Sequence, residues 1–216
     1  MQSEPHRPNT FAADPKMHRS ASQLQILVLG PDQLTPLIAL RSRMDNEPTL
    51  GKREDRRIAL DTAAVRDELQ GRSTTLGMYD AERLVGVVTY GYFQRAPYED
   101  DAPCWYFKGL AVDGRYRRKK IGLRLVVECV RRVSAYLGDT GCAIATCYRD
   151  GEPNTAARLF YDRLGFRDHP LEECSEFEED GVTYIERTMG TEKGALAEWV
   201  KRNAPVPAPS NSPPAS

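Results

Sequence analysis

The sequence predicts an α/β (α+β) fold: one domain built on a mixed, mostly antiparallel sheet flanked by helices. Three observations lead there. Strand-like segments crowd together between residues 73 and 112, joined by a tight turn and a short loop, a meander that favours antiparallel pairing. Two helices with a clear apolar stripe then alternate with strands, and a glycine closes each, Gly138 and Gly165. Prolines gather at both ends (Pro5, Pro8 and Pro15; Pro205, Pro207, Pro209, Pro213 and Pro214), so one domain over residues 23–202 is expected between a disordered tail 1–22 and a Pro-rich disordered tail 203–216.

Each element has its own signal. Leu24–Leu29 reads as a strand stopped by Gly30-Pro31. Asp32 is the expected N-cap of a helix to about Met44, with Leu34, Leu37, Ile38 and Arg41 on one stripe. A second, charged helix is expected over Glu54–Gln70, ended by Gly71. Ser73–Tyr79 and Arg83–Phe93 are strands joined by a turn at Tyr79–Glu82. Gly86 and Gly91 interrupt the side-chain pattern of the second. The acidic loop 98–101 leads to strand Cys104–Val112. The next helix has Leu123, Val126, Val127, Val130, Val133 and Leu137 on its apolar face. Ala143–Tyr148 is a short strand, Arg149–Pro153 a loop, and Asn154 the N-cap of a helix ending at Gly165. Phe166–Asp168 begins a strand, an acidic loop crosses 171–181, Val182–Met189 is the last strand, and 191–202 a closing helix.

Composition narrows the function. With 30 Lys and Arg against 31 Asp and Glu, the net charge is −1, so global basicity gives no argument for nucleic acid or membrane. The charge is segregated, however. Arg115–Arg132 holds eight basic residues and one acid, while Leu171–Asp180 holds six acids and no base. The five cysteines (Cys104, Cys129, Cys142, Cys147 and Cys174) form no CxxC pair and read as free packing thiols. His169 is the one histidine within the expected domain, too few for a zinc site, so no metal is expected. There is no GxSxG elbow. No apolar run approaches the roughly 18 residues of a membrane span, and no secretory signal is visible; the expected location is cytoplasmic.

The chemistry concentrates in one stretch. Gly114-Arg115-Tyr116-Arg117-Arg118-Lys119-Lys120-Ile121-Gly122 joins a strand directly to a helix. The first amides of a helix lack internal partners, and its dipole adds positive potential there. Arg117–Gly122 is therefore a ready anion site for a pyrophosphate. The same run also reads as a solvated basic helix start. Downstream, Asn154-x-x-Ala157-x-x-Phe160-Tyr161-x-x-x-Gly165-Phe166 puts an amide at a helix start and a tyrosine two turns on. Tyr161 alone reads equally as a packing residue.

Together these segments, from Leu110-Ala111-Val112-Asp113 to Leu164-Gly165-Phe166, resemble the GNAT superfamily of acetyl-CoA-dependent N-acetyltransferases over about 57 residues. The resemblance implies an acetyltransferase that moves an acetyl group from acetyl-CoA to a primary amine of a small molecule or protein in a ternary complex. It implies that amides of Arg117, Arg118, Lys119, Lys120, Ile121 and Gly122 hold the CoA pyrophosphate, and that main-chain groups of Leu110 and Val112 pair with the pantetheine arm. It further implies that the strand splays from Ala143–Tyr148 to admit the arm, that Asn154 touches it, and that Tyr161 is the general acid. A free tyrosine, with pKa near 10, stays protonated at neutral pH and can donate to a departing thiolate. A backbone N–H at Leu110 or Val112 can stabilise the developing oxyanion.

Two positions depart from the family pattern. Lys120 stands where the loop's first glycine belongs; a lysine is tolerated there if its dihedral angles are ordinary, and it either assists phosphate binding through its ammonium or weakens the site. Tyr106 stands at the register where several relatives carry a glutamate base, leaving Glu99, Asp100 and Asp101 as nearby acids. The acidic segment Glu172–Asp180 reads as a solvated loop or as a selector for a cationic amine. Two further readings remain: a toxin-like acetyltransferase acting on aminoacyl-tRNA, against which near-zero net charge argues, and a non-catalytic acyl-CoA-binding module. The oligomeric state is open, a homodimer included.

Overall fold

A computed structural model of the chain describes residues 24–44, 60–92, 104–138, 142–150, 155–168, 175–179 and 181–203. The two expected tails lie outside them, except that Asn203 ends the last helix. The helices are α1 (Leu34–Met44), α2 (Thr62–Gln70), α3 (Ile121–Leu137), α4 (Thr155–Arg163) and α5 (Ala195–Asn203). The strands are β1 (Leu24–Val28), β2 (Thr74–Asp80), β3 (Arg83–Tyr92), β4 (Cys104–Val112), β5 (Cys142–Asp150), β6 (Arg167–Asp168), β7 (Ser175–Glu179) and β8 (Val182–Gly190).

All eight strands join one sheet, in the order β1-β2-β3-β4-β5-β8-β6, with β7 also on β8. Every pair is antiparallel except β4 with β5. A parallel pair needs a crossover, and α3 supplies it. The sheet is sandwiched between helices. Leu37, Leu40 and Met44 of α1 and Val65 of α2 pack on one face with Leu29, Tyr79, Leu84 and Val87. On the other, α3, Tyr161 of α4 and Leu196 of α5 pack with Leu76, Met78, Val88, Tyr90 and Phe107. Each large side chain buried in these layers stabilises the fold by roughly 1.5–3 kcal/mol.

The expected mixed, mostly antiparallel sheet is present, with local corrections. Asp32 is no N-cap. Pro31–Gln33 forms a 3-10 turn instead, and Gln33 Oε1 accepts from the Gly30 amide at 2.8 Å. The charged helix does not run unbroken from Glu54. Asp61 is extended (φ −69°, ψ 123°) and accepts from the Ala64 amide at 2.8 Å, starting a new helix at Thr62. A short acid satisfies orphan amides at a cap better than it serves a helix interior. Residues 51–59 and 93–103 lie outside the described set.

On α3, Ile121, Leu125 and Cys129 join Val126, Val130 and Val133 as the buried stripe, while Leu123 and Val127 are half-buried. The stripe is turned by β3. A Cβ on Gly86 would meet Ile121 Cγ2 at 2.7 Å and Leu125 Cδ1 at 3.2 Å, so the missing side chain lets the helix lie on the sheet. Arg149 and Asp150 extend β5 by pairing with Ile185 and Tyr184. The acidic loop is partly strand: Ser175–Glu179 pairs with Val182–Glu186, and Gly181 turns at φ +76°. Charge suits an edge strand, and Glu178 stands exposed.

Candidate functional site

The site begins with an incomplete ladder. β4 and β5 pair over four residues, Cys104–Phe107 against Cys142–Ala145, and no further, although both strands continue for several residues. Gly109, at φ +60°, and the register shift opposite Val88 bend β4 at that point. Past it, the Asp113 amide donates to Val85 O at 2.9 Å. Alternation along the strand therefore turns the main-chain groups of Ala111 toward β3 and those of Leu110 and Val112 toward the open flank. β4 thus splays from Ala143–Tyr148 beyond Phe107, and the main-chain groups of Leu110 and Val112 face the gap.

At the mouth of the fork the chain enters α3 through a strained loop. Arg118 and Lys120 both have φ +62°, in the left-handed region. Lys120 thus takes the conformation that a glycine favours, and the ordinary dihedral angles considered for it are not found. A left-handed non-glycine residue costs roughly 1–2 kcal/mol. No side chain caps α3. The Arg124 amide bonds Lys120 O at 2.9 Å, so the amides of Ile121, Gly122 and Leu123 have no partner within the helix. Left-handed and right-handed residues in succession curl amides into an anion-binding nest. Arg117, Arg118, Lys119 and Lys120 are exposed around it. The donor set fits a diphosphate.

Gly122 ties the loop to the rest of the site. Its missing side chain faces Phe160 Cζ and Val112 Cγ2, both 3.8 Å from a Cβ placed there. The start of α3, the end of β4 and the body of α4 thus converge. Next to Phe160, Tyr161 is 7% exposed. Its ring lies 5.8 Å from Phe107 and 5.5 Å from Phe166 between centroids. Phe107 is the last β4 residue paired with β5, so Tyr161 stands at the crotch of the fork. Gly165, at φ +88°, ends α4, and the Phe166 amide closes on Tyr161 O at 3.1 Å. Asn154, Glu99, Asp100 and Asp101 lie outside the described residues.

Residues not singled out from sequence brace the loop. Asp113, 5% exposed, accepts from Arg43 Nε at 3.0 Å and Arg83 Nη2 at 2.9 Å on one oxygen, and from the Arg115 amide at 3.1 Å on the other. Burial pushes its pKa up, but the Arg115 amide and the two guanidiniums outweigh that and hold it below the usual carboxylate range. Tyr116 donates to Asp80 Oδ2 at 2.7 Å, a bond that pushes its phenol pKa up, and Lys119 Nζ sits 4.7 Å from its ring centroid. An Asp two residues before an amide is a turn signal visible in sequence. The two guanidiniums, 70 and 30 residues away, leave no local trace.

On the α1–α2 face, Tyr106 shares a 2.9 Å hydrogen bond with Ser73 Oγ. Nearby, Arg41 grips both oxygens of Glu68 at 2.9 Å, and Thr89 Oγ1 donates to Glu68 Oε1 at 3.0 Å. Cys104 and Cys129 are buried, and burial pushes the Cys129 thiol well above its ordinary pKa, so Cys129 packs rather than reacts. Among the described residues no group of three His, Cys, Asp or Glu could hold a metal, and no helix is long and apolar enough to cross a membrane.

A sheet that forks beside a donor-rich helix start is the architecture of acetyltransferase domains. The model of the Acetyltransferase (GNAT) family matches residues 39–166, and the chain belongs to that family. It is therefore an acyltransferase, with acetyl transfer as its general chemistry. Solved structures share the fold. The ribosomal-protein-alanine N-acetyltransferase of Brucella melitensis superposes with a TM-score of 0.60 at 17% identity, over 78% of this chain and 99% of that one. The protein smu.2055 of Streptococcus mutans UA159 gives 0.59 at 19%, over 78% and 98%. The PaiA N-acetyltransferase of Thermoplasma acidophilum, in complex with coenzyme A, gives 0.56 at 15%, over 79% and 99%. No curated protein matches the chain.

Proposed function

We propose that the chain carries an acetyl group from acetyl-CoA to a primary amine of a small molecule or protein, directly, with both substrates bound at once. One observation carries this reading: β4 leaves β5 after Phe107, so Leu110 and Val112 present unpaired main-chain groups along a cleft whose mouth is the left-handed amide nest. An extended amide-bearing arm can add there as a strand, with its diphosphate on Arg117–Gly122. The coenzyme A complex of the Thermoplasma protein and the amine acceptor in the name of the Brucella protein support the reading.

In this reading the amine nitrogen attacks the thioester carbonyl. The N–H of Leu110 or Val112 steadies the oxygen as it gains charge. The C–S bond then breaks, the thiolate takes the Tyr161 proton, the amine's surplus proton leaves to solvent, and solvent returns a proton to the Tyr161 phenolate. Asn154 contacts the arm. A thiol-release assay with acetyl-CoA against amines, peptides and aminoacyl-tRNA tests it. Release driven by an amine or peptide is expected. Turnover on aminoacyl-tRNA alone would replace the acceptor class. CoA binding without turnover on any acceptor would make the chain a binding module and overturn the transfer reading.

A further inference from the structure

We infer that Asp113 is the positioning residue of the diphosphate loop, setting cofactor affinity through a brace that reaches α1 and the β2–β3 hairpin; this rests on the acetyl-CoA reading above. The loop must be held from outside, because two left-handed residues in three, Arg118 and Lys120, are unfavourable by themselves. Its far end is secured by α3, where Ile121 is 1% exposed against the sheet. Its near end is secured by Asp113.

Every polar group of that residue is used. Its amide extends the β3–β4 ladder to Val85 O, and its carbonyl accepts from the Tyr116 amide at 2.8 Å. Its carboxylate caps the Gly114–Tyr116 turn through Arg115 and gathers Arg43 and Arg83. Arg43 is fixed in turn by donating to Leu84 O at 2.8 Å. Tyr116, the last residue of the turn, is tied to Asp80 on the opposite side of the same hairpin, and its ring holds Lys119. The turn that launches the loop is thus clamped between two carboxylates. Neither is exposed to act on substrate itself: Asp113 is buried, and Asp80 is occupied by Tyr116.

A carboxylate in this place does what an amide cannot. It accepts three donors and offsets two guanidiniums. In Asp113→Asn, an amide that still accepts from Arg115 turns its own N–H groups toward Arg43 and Arg83. The expected result is a loop that samples other conformations, which lowers the fraction competent to bind and raises the apparent dissociation constant in proportion.

The test combines calorimetry with CoA, steady-state kinetics with an acceptor found by thiol release, and melting curves for the wild type, Asp113→Asn and Tyr116→Phe. Asp113→Asn should raise the CoA dissociation constant and the acetyl-CoA KM about tenfold, or about 1.4 kcal/mol, with kcat at saturation and the acceptor KM within about twofold. Tyr116→Phe should shift the same constants about threefold and keep the ring under Lys119. A folded Asp113→Asn chain that melts earlier but binds CoA as the wild type does would overturn the inference and leave the function standing. If Asp113→Asn does not fold, Tyr116→Phe decides, and unchanged CoA affinity overturns it. A wild-type chain that binds no CoA would sink the acetyl-CoA reading and the inference with it.

Discussion

The two flanks of β4 are treated differently. Toward β3 the strand pairs from Trp105 to Val112 across one register shift at Gly109 and Leu110, and the Asp113 amide carries the ladder one residue further. Toward β5 the ladder stops at Phe107. Leu110 and Val112 are half-buried there, so their outward main-chain groups are left to water, which an added strand can replace. The same contrast recurs in two glycines against α3. Gly86, on the sealed side, has Ile121 Cγ2 2.7 Å from where a side chain would begin; Gly122, on the open side, has nothing nearer than 3.8 Å among the described residues. One glycine is demanded by packing; the other leaves room that the proposed cofactor would use. A strand can hold a sheet together with one edge and serve chemistry with the other.

The sharpest break of this comparison is at the fork point. Tyr161→Phe keeps the ring among Phe107 and Phe166 and removes the hydroxyl alone. Turnover should fall about 10²-fold, with CoA affinity and melting temperature nearly unchanged. Equal turnover in wild type and variant would strip Tyr161 of the acid's role and return it to the core.

The glycines come next. Gly86→Ala should destabilise the fold by about 1–3 kcal/mol in denaturant unfolding, because Ile121 is branched at Cβ and cannot swing its methyl away. CoA affinity at a temperature where the variant is folded should hardly change. At Gly122 the pattern inverts. Gly122→Ala, whose added methyl meets ordinary contacts, should leave stability within about 0.5 kcal/mol, while Gly122→Trp should weaken CoA about tenfold by calorimetry. If Gly122→Trp binds CoA at full strength, the open flank is not the cofactor's route.

The sealed side was the more legible one. β4 spans Cys104–Val112 as its residue pattern predicts, and Gly138 and Gly165 end their helices with positive φ. The run from β4 through the basic turn into α3 was readable because strand, turn and helix are consecutive in the chain, whereas the roles expected of Leu110, Val112 and Tyr161 came from the family resemblance alone. Three kinds of feature were not. The α3 stripe shifted to Ile121, Leu125 and Cys129 because Gly86, on another strand, sets where the helix rests. Asp61 broke a helix whose charged residues suit an interior and a cap alike. The Asp113 brace joins residues 70 positions apart, a separation at which no sequence periodicity operates.

The finest test lies in the loop itself, between neighbours with the same side chain. Lys120 is left-handed at φ +62°, whereas Lys119 is not among the positive-φ residues. At position 120 a glycine relieves roughly 1–2 kcal/mol of strain and gives back roughly 0.5–1 kcal/mol through its freer unfolded chain. Lys120→Gly should therefore stabilise the protein by about 0.5 kcal/mol, a rise of about 1–2 °C in Tm. Lys119→Gly meets no such relief and should lower stability by about 0.5–1 kcal/mol. Both side chains are exposed, but Lys119 also lies over the Tyr116 ring, so each glycine variant is referred to the alanine variant at the same position, which loses the same ammonium. The sign of the difference between the two glycine-minus-alanine shifts in melting temperature is then a direct reading of the nest. Equal shifts, or a greater loss at position 120, would mean that the loop is not held in its left-handed form and that the open flank of β4 lacks a preformed grip on phosphate.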